Sequence, residues 1–326
     1  MITKLGSGRM LNGIENEAYQ MNDLSMICVD EHAVANKVSD QTLVGKNLFA
    51  SGLLRPGSQS FVSPLSLRYS LQERYKVCTD RGHYSVSPTT FVVLNEGQRG
   101  EIAVEPNTSP RAVTLVFEQK YMSDIARSFS APLVSALEMD RDGIVVRFPE
   151  CIQHDTAFEI GPKLRSLSAA CLRGDSIESI ADKFRAVTEC VVLVYSAASR
   201  QIESIDSVRP GTRAELYRRI QRAYVYIQDA YTEELCLEKI ARVACMSPHH
   251  FHRVFSQVYG ITPLRALADR RMQMAHKLLE TTDTPVSAIC RAVGYHSAPT
   301  FSNLFRAKFG LPPSLLQQRS RRVRMQ

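Results

Sequence analysis

Two short segments of the C-terminal third carry polar and basic side chains that could contact nucleic acid. These side chains are His249, His252, Arg253 and Ser256 in the first segment, and Thr300, Ser302, Asn303 and Arg306 in the second. Such residue types provide the donors and acceptors that reach base edges and phosphates in a major groove. Neither segment carries Asp or Glu, whose charge would repel a duplex. The pattern favours a polyanionic partner.

The two segments are copies of an internal repeat. At an offset of fifty residues the matching pairs are Ser247 and Ser297, Phe251 and Phe301, Phe255 and Phe305, Gly260 and Gly310, and Pro263 and Pro313. In each copy a serine that can cap free backbone N–H groups precedes a helix, and a glycine follows it. Each copy therefore predicts a helix-turn-helix, with its second helix over about 248–259 or 298–309.

The repeat also predicts which side of each second helix is buried. Residues four apart share a helical face, so the two phenylalanines of each copy are expected inside and the polar side chains outside. Between the copies, Leu264 to Glu280 has apolar residues in helical register. At ~1.5 Å per residue this helix is a rod of roughly 25 Å. Together with the flanking helices it could hold the two second helices about 34 Å apart, one turn of B-DNA.

The charge of the chain is unevenly distributed. Residues 209–326 contain 19 Lys and Arg against 8 Asp and Glu, a net charge of +11, whereas residues 1–208 contain 21 against 25, a net charge of −4. A basic domain suits nucleic acid or an anionic membrane. Membrane binding needs aromatic side chains that face lipid, and the phenylalanines here are assigned to interior faces. Double-stranded DNA is the predicted partner, and Arg209-Pro210-Gly211 is the predicted linker between a domain over 1–208 and one over 209–326.

The first part of the chain has the pattern of short strands followed by helices. Extended segments are predicted at Ser60 to Tyr69, Thr89 to Leu94 and Arg111 to Phe117, with turn residues between them. Strands at this spacing suggest a small β-sandwich or barrel. Helical periodicity begins at Gln119 and returns from Ser176 to Ser199. The predicted fold class is α+β in two domains, the first β-rich with helices and the second all-α.

The stretch from Ala214 to Gln317 resembles the double helix-turn-helix DNA-binding domain of the arabinose-regulator (AraC/XylS) family of bacterial transcription factors. The matching motifs are LEKIARVACMSPHHFHRVFSQVYGITP, ADRRMQMAHKLLETTD and VSAICRAVGYHSAPTFSNLFRAKFGLPP. The resemblance implies that bases are contacted by His249, His252 and Arg253 in the first copy and by Ala298, Pro299, Thr300, Ser302 and Asn303 in the second. It implies phosphate contacts from Ser247, Ser256, Arg306 and Lys308.

The N-terminal part resembles the cupin-like sensor domain of the same family, in the stretch YKVCTDRGHYSVSPTTFVVLNEGQ. This resemblance implies a module that senses a small-molecule effector, forms a homodimer, or does both, in a regulator that acts with RNA polymerase. A pure dimerisation scaffold that binds no ligand is the alternative. Because the sequence shows no signal-like or membrane-spanning segment, we expect a cytoplasmic protein that does not contact a membrane.

A metal-dependent cupin enzyme is a further alternative, which the sequence disfavours. Such a site typically needs two histidines one residue apart and a nearby acid, but His32, His83 and His154 are isolated. No nucleophile motif or phosphate-binding loop is present. We expect no catalytic residue and no cofactor.

The cysteines are expected to be small buried hydrophobes in a reducing compartment, since no CxxC pair occurs. Cys245, His249 and His252 have a spacing that could bring three metal ligands to one side of a helix. The simpler interpretation is that Cys245 is a small residue packed between two helices. We expect no metal.

Overall fold

The computed structural model of the chain describes residues 3–4, 18–21, 24–27, 47–129, 138–139, 146–206 and 209–324. The contacts between residues divide the chain into two compact units, Met1–Glu203 and Ser204–Gln326. They are called unit 1 and unit 2 below.

The strands of unit 1 form two larger antiparallel sheets and two small ones. The strands are β1 Thr3–Lys4, β2 Ala18–Met21, β3 Leu24–Ile27, β4 Leu48–Leu53, β5 Gly57–Ser63, β6 Ser66–Gln72, β7 Tyr75–Thr79, β8 Gly82–Val86, β9 Thr90–Leu94, β10 Gln98–Val104, β11 Arg111–Val116, β12 Glu138–Met139, β13 Val146–Arg147 and β14 Ile152–His154. A four-stranded sheet has the order β5-β10-β7-β8, and a five-stranded sheet has the order β14-β9-β6-β11-β4. The small sheets are β1-β2-β3 and β12-β13.

The five-stranded sheet lies between the four-stranded sheet and helices of unit 1. Successive residues of a strand point to opposite faces. Arg68 of β6 lies against Phe61 of β5, on the side of the four-stranded sheet. The next residue, Tyr69, accepts a hydrogen bond through its hydroxyl from Nη1 of Arg165, on the helical side, at 2.9 Å. Both faces of this sheet are therefore buried, as the burial of every residue in β9 illustrates.

The α-helices of unit 1 in the described residues are α1 Gln119–Arg127, α2 Ile160–Arg173 and α3 Ile177–Glu203, and a short 3-10 helix, Ala157–Glu159, precedes α2. Helices α1 and α3 confirm the helical segments predicted from Gln119 and over Ser176 to Ser199. Helix α3 packs on the five-stranded sheet. The Tyr195 hydroxyl accepts a hydrogen bond from the backbone N–H of Val93 at 3.0 Å, and its ring contacts Phe91 edge-on.

Helix α2 has no counterpart among the sequence predictions. Gly161 and Pro162 near its start are turn residues, but they occupy the first helical turn, where a missing N–H costs nothing. Gly161 is also required by packing, because a Cβ there would collide with the carboxylate of Asp155. The local sequence pattern therefore indicates a turn at the start of α2 but does not predict the helix that follows.

The single extended segment predicted at Ser60 to Tyr69 is wrong, because two strands occupy it. Strand β5 ends at Ser63 and β6 begins at Ser66. Pro64 lies between them and has no N–H to donate to a ladder, and the Ser63 and Ser66 hydroxyls share a hydrogen bond of 2.8 Å. This break sends β5 into the four-stranded sheet and β6 into the five-stranded one.

Every regular element in the described part of unit 2 is a helix. The helices are α4 Pro210–Asp229, α5 Leu237–Val243, α6 Pro248–Tyr259, α7 Pro263–Thr281, α8 Val286–Ala292, α9 Ala298–Phe309 and α10 Pro313–Arg324. The predicted α+β organisation is confirmed, with an antiparallel β-rich part in unit 1 and an all-helical unit 2. Within the stretches that the structure describes, no helix combines the length and apolarity needed to span a membrane.

Unit 2 has two helical halves that share α7. Helix α7 contacts α4, α5 and α6 on one side and α8, α9 and α10 on the other. Ala266 and Leu267 near its start are buried. Met272, Ala275 and Leu279 further along belong to the core of the second half, together with Ile289, Cys290, Val293, Phe301 and Phe305. A single rigid helix therefore connects the two copies of the repeat.

Candidate nucleic-acid interface

Helices α6 and α9 are the second helices of the two copies, and their bounds confirm the predicted segments 248–259 and 298–309. Each begins at or just before a proline, whose fixed φ suits the first turn. Each ends at a glycine in the left-handed conformation, Gly260 with φ 67° and Gly310 with φ 77°. Glycine is preferred there because it carries no Cβ.

The serine caps are formed in one copy only. The Ser297 hydroxyl accepts a hydrogen bond from the backbone N–H of Thr300 at 3.4 Å and one from the Thr300 hydroxyl at 3.0 Å. Ser247 has the extended backbone of a cap residue, but its side chain makes no capping hydrogen bond. The predicted hydroxyl cap is therefore confirmed for α9 and wrong for α6.

The turn before each second helix contains one residue in the left-handed conformation. These residues are Cys245, with φ 52°, and Gly294, with φ 86°. Cys245 is exposed, so its expected packing between two helices is wrong. Ala244 beside it is buried instead. Among the other cysteines, Cys236 is also exposed, whereas Cys151, Cys171, Cys190 and Cys290 are buried as expected.

The phenylalanines anchor both second helices in the interior. Phe251, Phe255, Phe301 and Phe305 are each 0% exposed. The two rings of α6 lie 5.4 Å apart between centroids, and those of α9 lie 5.9 Å apart. The prediction that these faces are buried is confirmed. The opposite faces are consequently turned to solvent.

Most of the side chains expected to contact DNA lie on those exposed faces. The exposed residues are Ser247, His249, His252 and Arg253 of the first copy and Ala298, Pro299, Thr300, Asn303 and Arg306 of the second. Ser302 is half-buried. Arg253 and Arg306 have no acidic partner among the described residues, so their charges are available to a ligand.

Ser256 and Lys308 lie in different surroundings from the other residues. The Ser256 hydroxyl is buried and has no hydrogen-bond partner within the described part of the chain. Lys308 donates from Nζ to the Asp269 carboxylate of α7 and to the Asp269 backbone oxygen at 3.3 Å. Their expected phosphate contacts would require both side chains to change these environments.

Asp269 is held ionised by this arrangement. Its partial burial alone would raise the pKa, but the hydrogen bond and charge of Lys308, with the nearby Arg265, outweigh that effect. The pKa of Asp269 therefore lies below its ordinary value. The carboxylate fixes α9 to α7 and consumes one positive charge of the second copy.

Several other carboxylates of unit 2 are also paired with cations. Glu215 pairs with Arg218 and Arg219, each at 2.8 Å. Asp283 pairs with Arg321 and Arg324, each also at 2.8 Å. These exposed pairs contribute little to stability. They do hold the negative charges against arginines outside α6 and α9.

The sequence patterns missed how α7 is attached to the first half. Arg270 donates from Nε to the backbone oxygen of Gln228 at 3.1 Å. Arg271 donates to the backbone oxygens of Tyr231 and Glu233 at 2.7 and 2.8 Å. The available signal was an arginine in register with the apolar side chains of the predicted bridging helix.

No group of three His, Cys, Asp or Glu side chains in the described residues is arranged to hold a metal ion. Cys245, His249 and His252 therefore do not come together as a site in this structure. The two histidines lie on the exposed side of α6.

Comparison with known proteins finds similar sequences for the helical repeat. Residues 240–319 match the family model described as a helix-turn-helix domain. The bifunctional transcriptional activator/DNA repair enzyme AdaA of Bacillus subtilis (strain 168) is 36% identical over 96 residues, which are 29% of this chain and 46% of AdaA. The transcriptional activator RhaS of Enterobacter sp. (strain 638) is 26% identical over 200 residues, 61% of this chain and 67% of RhaS. Residues 240–319 are a helix-turn-helix domain.

This helix-turn-helix domain is also similar to a solved structure. The C-terminal domain of AraT, a response regulator from Geobacillus stearothermophilus, has 32% sequence identity, covers 31% of this chain and 84% of that chain, and gives a TM-score of 0.30. The chain spans less than half the length of AdaA. The likeness to AdaA therefore concerns the helix-turn-helix domain and not a whole protein.

Proposed function

We propose that the protein is a sequence-specific DNA-binding transcription regulator that inserts α6 and α9 into adjacent major grooves. One observation carries the proposal. Two helices of one unit are anchored by buried phenylalanine pairs and expose polar and basic faces without a carboxylate. The names of AdaA and RhaS, both transcriptional activators, agree with this function.

Each copy of the repeat makes both base contacts and phosphate contacts. In α6, His249, His252 and Arg253 offer donors that can select bases. In α9, Thr300 and Asn303 do the same, while Ala298 and Pro299 can contact thymine methyl groups. Ser247 and Arg306 contact phosphates and position the helices without reading sequence. The apolar start of α9 makes base selection weaker in the second groove.

Helix α7 sets the distance between the grooves. Its 19 residues span about 28 Å at 1.5 Å per residue. With the width of a flanking helix, this length suits two major-groove segments one turn apart on the same side of B-DNA.

Unit 1 is the regulatory part of the proposed regulator. In this proposal it senses a small-molecule effector, forms the homodimer, or does both, and the DNA-bound protein acts on RNA polymerase. Its β-rich architecture and its resemblance to a cupin-like sensor support this role. We propose no catalytic residue for the chain.

Selection of bound fragments from randomised DNA by the full chain tests the proposal. We expect a shared bipartite motif whose halves lie about one turn apart. Arg253→Ala should relax selection at one base pair, whereas Arg74→Ala, which removes an exposed arginine of unit 1, should leave the motif unchanged. Recovery of fragments without a common motif would contradict sequence-specific binding.

A further inference from the structure

Arg68 is a charged side chain enclosed between the two larger sheets of unit 1. It pairs across the five-stranded sheet with Thr114 of β11 and Val92 of β9. The residue is 2% exposed, and it is the only buried Lys or Arg among the described residues. Such a position is normally occupied by an apolar side chain.

Arg68 has no counter-ion among the residues that the structure describes. Nη1 donates to the Thr114 hydroxyl at 2.9 Å, and the guanidinium lies 5.2 Å from the ring centroid of Phe61. Nε is buried without a hydrogen-bond partner in the described part of the chain. No Asp or Glu of that part forms an ion pair with Arg68 or shifts its pKa.

At neutral pH Arg68 does not lose its charge by deprotonation, and the neighbouring Tyr75 does not ionise to neutralise it. Burial lowers the pKa of Arg68 to about 10, so the guanidinium stays charged at neutral pH. Burial raises the pKa of Tyr75, the one titratable side chain with a charge effect on Arg68. The neutral Tyr75 hydroxyl donates to the backbone oxygen of Tyr69 at 3.3 Å. An unpaired buried charge is strongly destabilising, so an anion bound at Arg68 would stabilise unit 1.

The neighbouring row of the same sheet face has small side chains. Gly52, Ala112 and Ser70 are aligned across three adjacent strands, two residues along from the row that contains Arg68. Since side chains of one face repeat every second residue, this row adjoins the guanidinium. The Ser70 hydroxyl is already bonded to the backbone oxygens of Gln72 and Arg111, which leaves this row without a free donor.

We propose that Arg68 binds the carboxylate of a small, otherwise apolar monocarboxylate between the two sheets, and that this compound is the effector of the regulator. The inference rests on the proposed sensing role of unit 1. A guanidinium matches a carboxylate with two parallel hydrogen bonds. The Thr114 hydroxyl accepts from Arg68 and can donate its own proton to the same carboxylate. Phe61 provides an apolar wall for the body of the ligand, and a single buried cation fits a single negative charge.

Thermal unfolding of the full chain with matched probes tests this site. The probes are sodium butyrate, octanoate and benzoate, each compared with its neutral amide and with sodium chloride at equal ionic strength. At about ten times its dissociation constant, a carboxylate that binds should raise the midpoint by roughly 3–5 °C. The amides should have no effect. Failure of every carboxylate to exceed its amide would overturn the proposal.

Variants of Arg68 separate ligand binding from a structural role. Arg68→Met should abolish the response to carboxylates, and without ligand its midpoint should equal or exceed that of the wild type, because an uncompensated charge has been removed. Arg74→Met, an exposed arginine in the same unit, should respond like the wild type. A clearly lower midpoint of Arg68→Met without ligand, or its failure to fold, would show that the protein itself already pairs this charge.

Arg68→Lys provides a readout that does not depend on the methionine variant. It keeps the charge but loses the two-pronged geometry, so carboxylates should bind about tenfold more weakly and still bind better than their amides. DNA selection distinguishes this proposal from the proposed regulator function. If the wild type responds to carboxylates but selects no DNA motif, the proposed regulator function is wrong and the carboxylate site is still supported.

Discussion

The guanidinium of Arg271 lies 5.4 Å from the ring centroid of Tyr295. Arg271 belongs to α7, and Tyr295 follows the turn of the second half. Because the same guanidinium also bonds the backbone oxygens of Tyr231 and Glu233 in the first half, one side chain contacts both halves of unit 2. Arg271 is therefore placed to set the position of one half relative to the other, and with it the spacing of α6 and α9.

Arg271→Lys is expected to weaken both unit 2 and its preference for half-site spacing. Lysine is a point charge that cannot bridge two backbone oxygens and stack on a ring at once. The free energy of unfolding should fall by about 1–3 kcal/mol. The wild type should bind duplexes with half-sites one turn apart more tightly than duplexes whose half-sites are about three base pairs further apart. This difference in affinity should be smaller for Arg271→Lys. Arg222→Lys, an exposed position of α4, is the control; an unchanged spacing preference in Arg271→Lys would refute the positioning role.

Substitutions at the two turn residues should change the stability of unit 2 in opposite directions. Gly294→Ala places a Cβ at φ 86° and about 2.9 Å from Nη2 of Arg271, so it should destabilise unit 2 by about 1–3 kcal/mol. Cys245→Gly relieves a side chain at φ 52° and should stabilise by up to about 1 kcal/mol. Denaturant unfolding measures both. Equal effects of the same sign would contradict this account of the turns.

Arg253→Ala and Arg306→Ala should impair DNA binding in different ways. If Arg253 reads a base, its loss should cost about 1–3 kcal/mol at one base pair and relax selection there. If Arg306 contacts a phosphate, its loss should weaken all sequences alike and reduce the salt slope by about one. Titrations of a selected site and its single-base variants at several salt concentrations separate the two. If both variants weaken binding to all sequences alike, Arg253 contacts the DNA phosphate backbone and not a base.

The Asp269 and Lys308 pair predicts a loss of stability in acid. The folded state lowers the pKa of Asp269. The ionised carboxylate therefore contributes to the free energy of unfolding at a pH above its ordinary pKa of about 3.9, and this contribution is lost as the pH falls through the lower pKa of the folded state. At pH 7, Asp269→Asn should be less stable by about 0.5–1 kcal/mol, allowing for solvent screening. The difference should shrink below about pH 3.

The exposed, unpaired Asp206 offers a control for this pH dependence. Asp206→Asn removes the same charge from unit 2 without breaking an ion pair among the described residues. Its unfolding free energy should follow that of the wild type across the pH range. If Asp269→Asn keeps its full deficit in acid, the loss comes from packing and not from the ionised carboxylate.

Long regular segments were predictable from the sequence because their signals are local. Proline, apolar spacing and glycine lie within one helix, so α6 and α9 were predicted with their observed bounds, and α3 was predicted to within a few residues. Helix α2 was missed because its first turn contains Gly161 and Pro162. The break between β5 and β6 was missed although Pro64 marks it, because apolar residues continue on both sides of the proline.

The composition and repeat of the chain by themselves determined two helix-turn-helix copies, the buried phenylalanines and a basic C-terminal part. Only the tertiary structure decided which polar groups remain available. Lys308 meets Asp269 from 39 residues away, and Arg68 meets Thr114 from 46 residues away. Hydrophobic periodicity records which face of an element is buried, whereas the partner of a buried charge depends on how distant segments pack, and no local pattern encodes that.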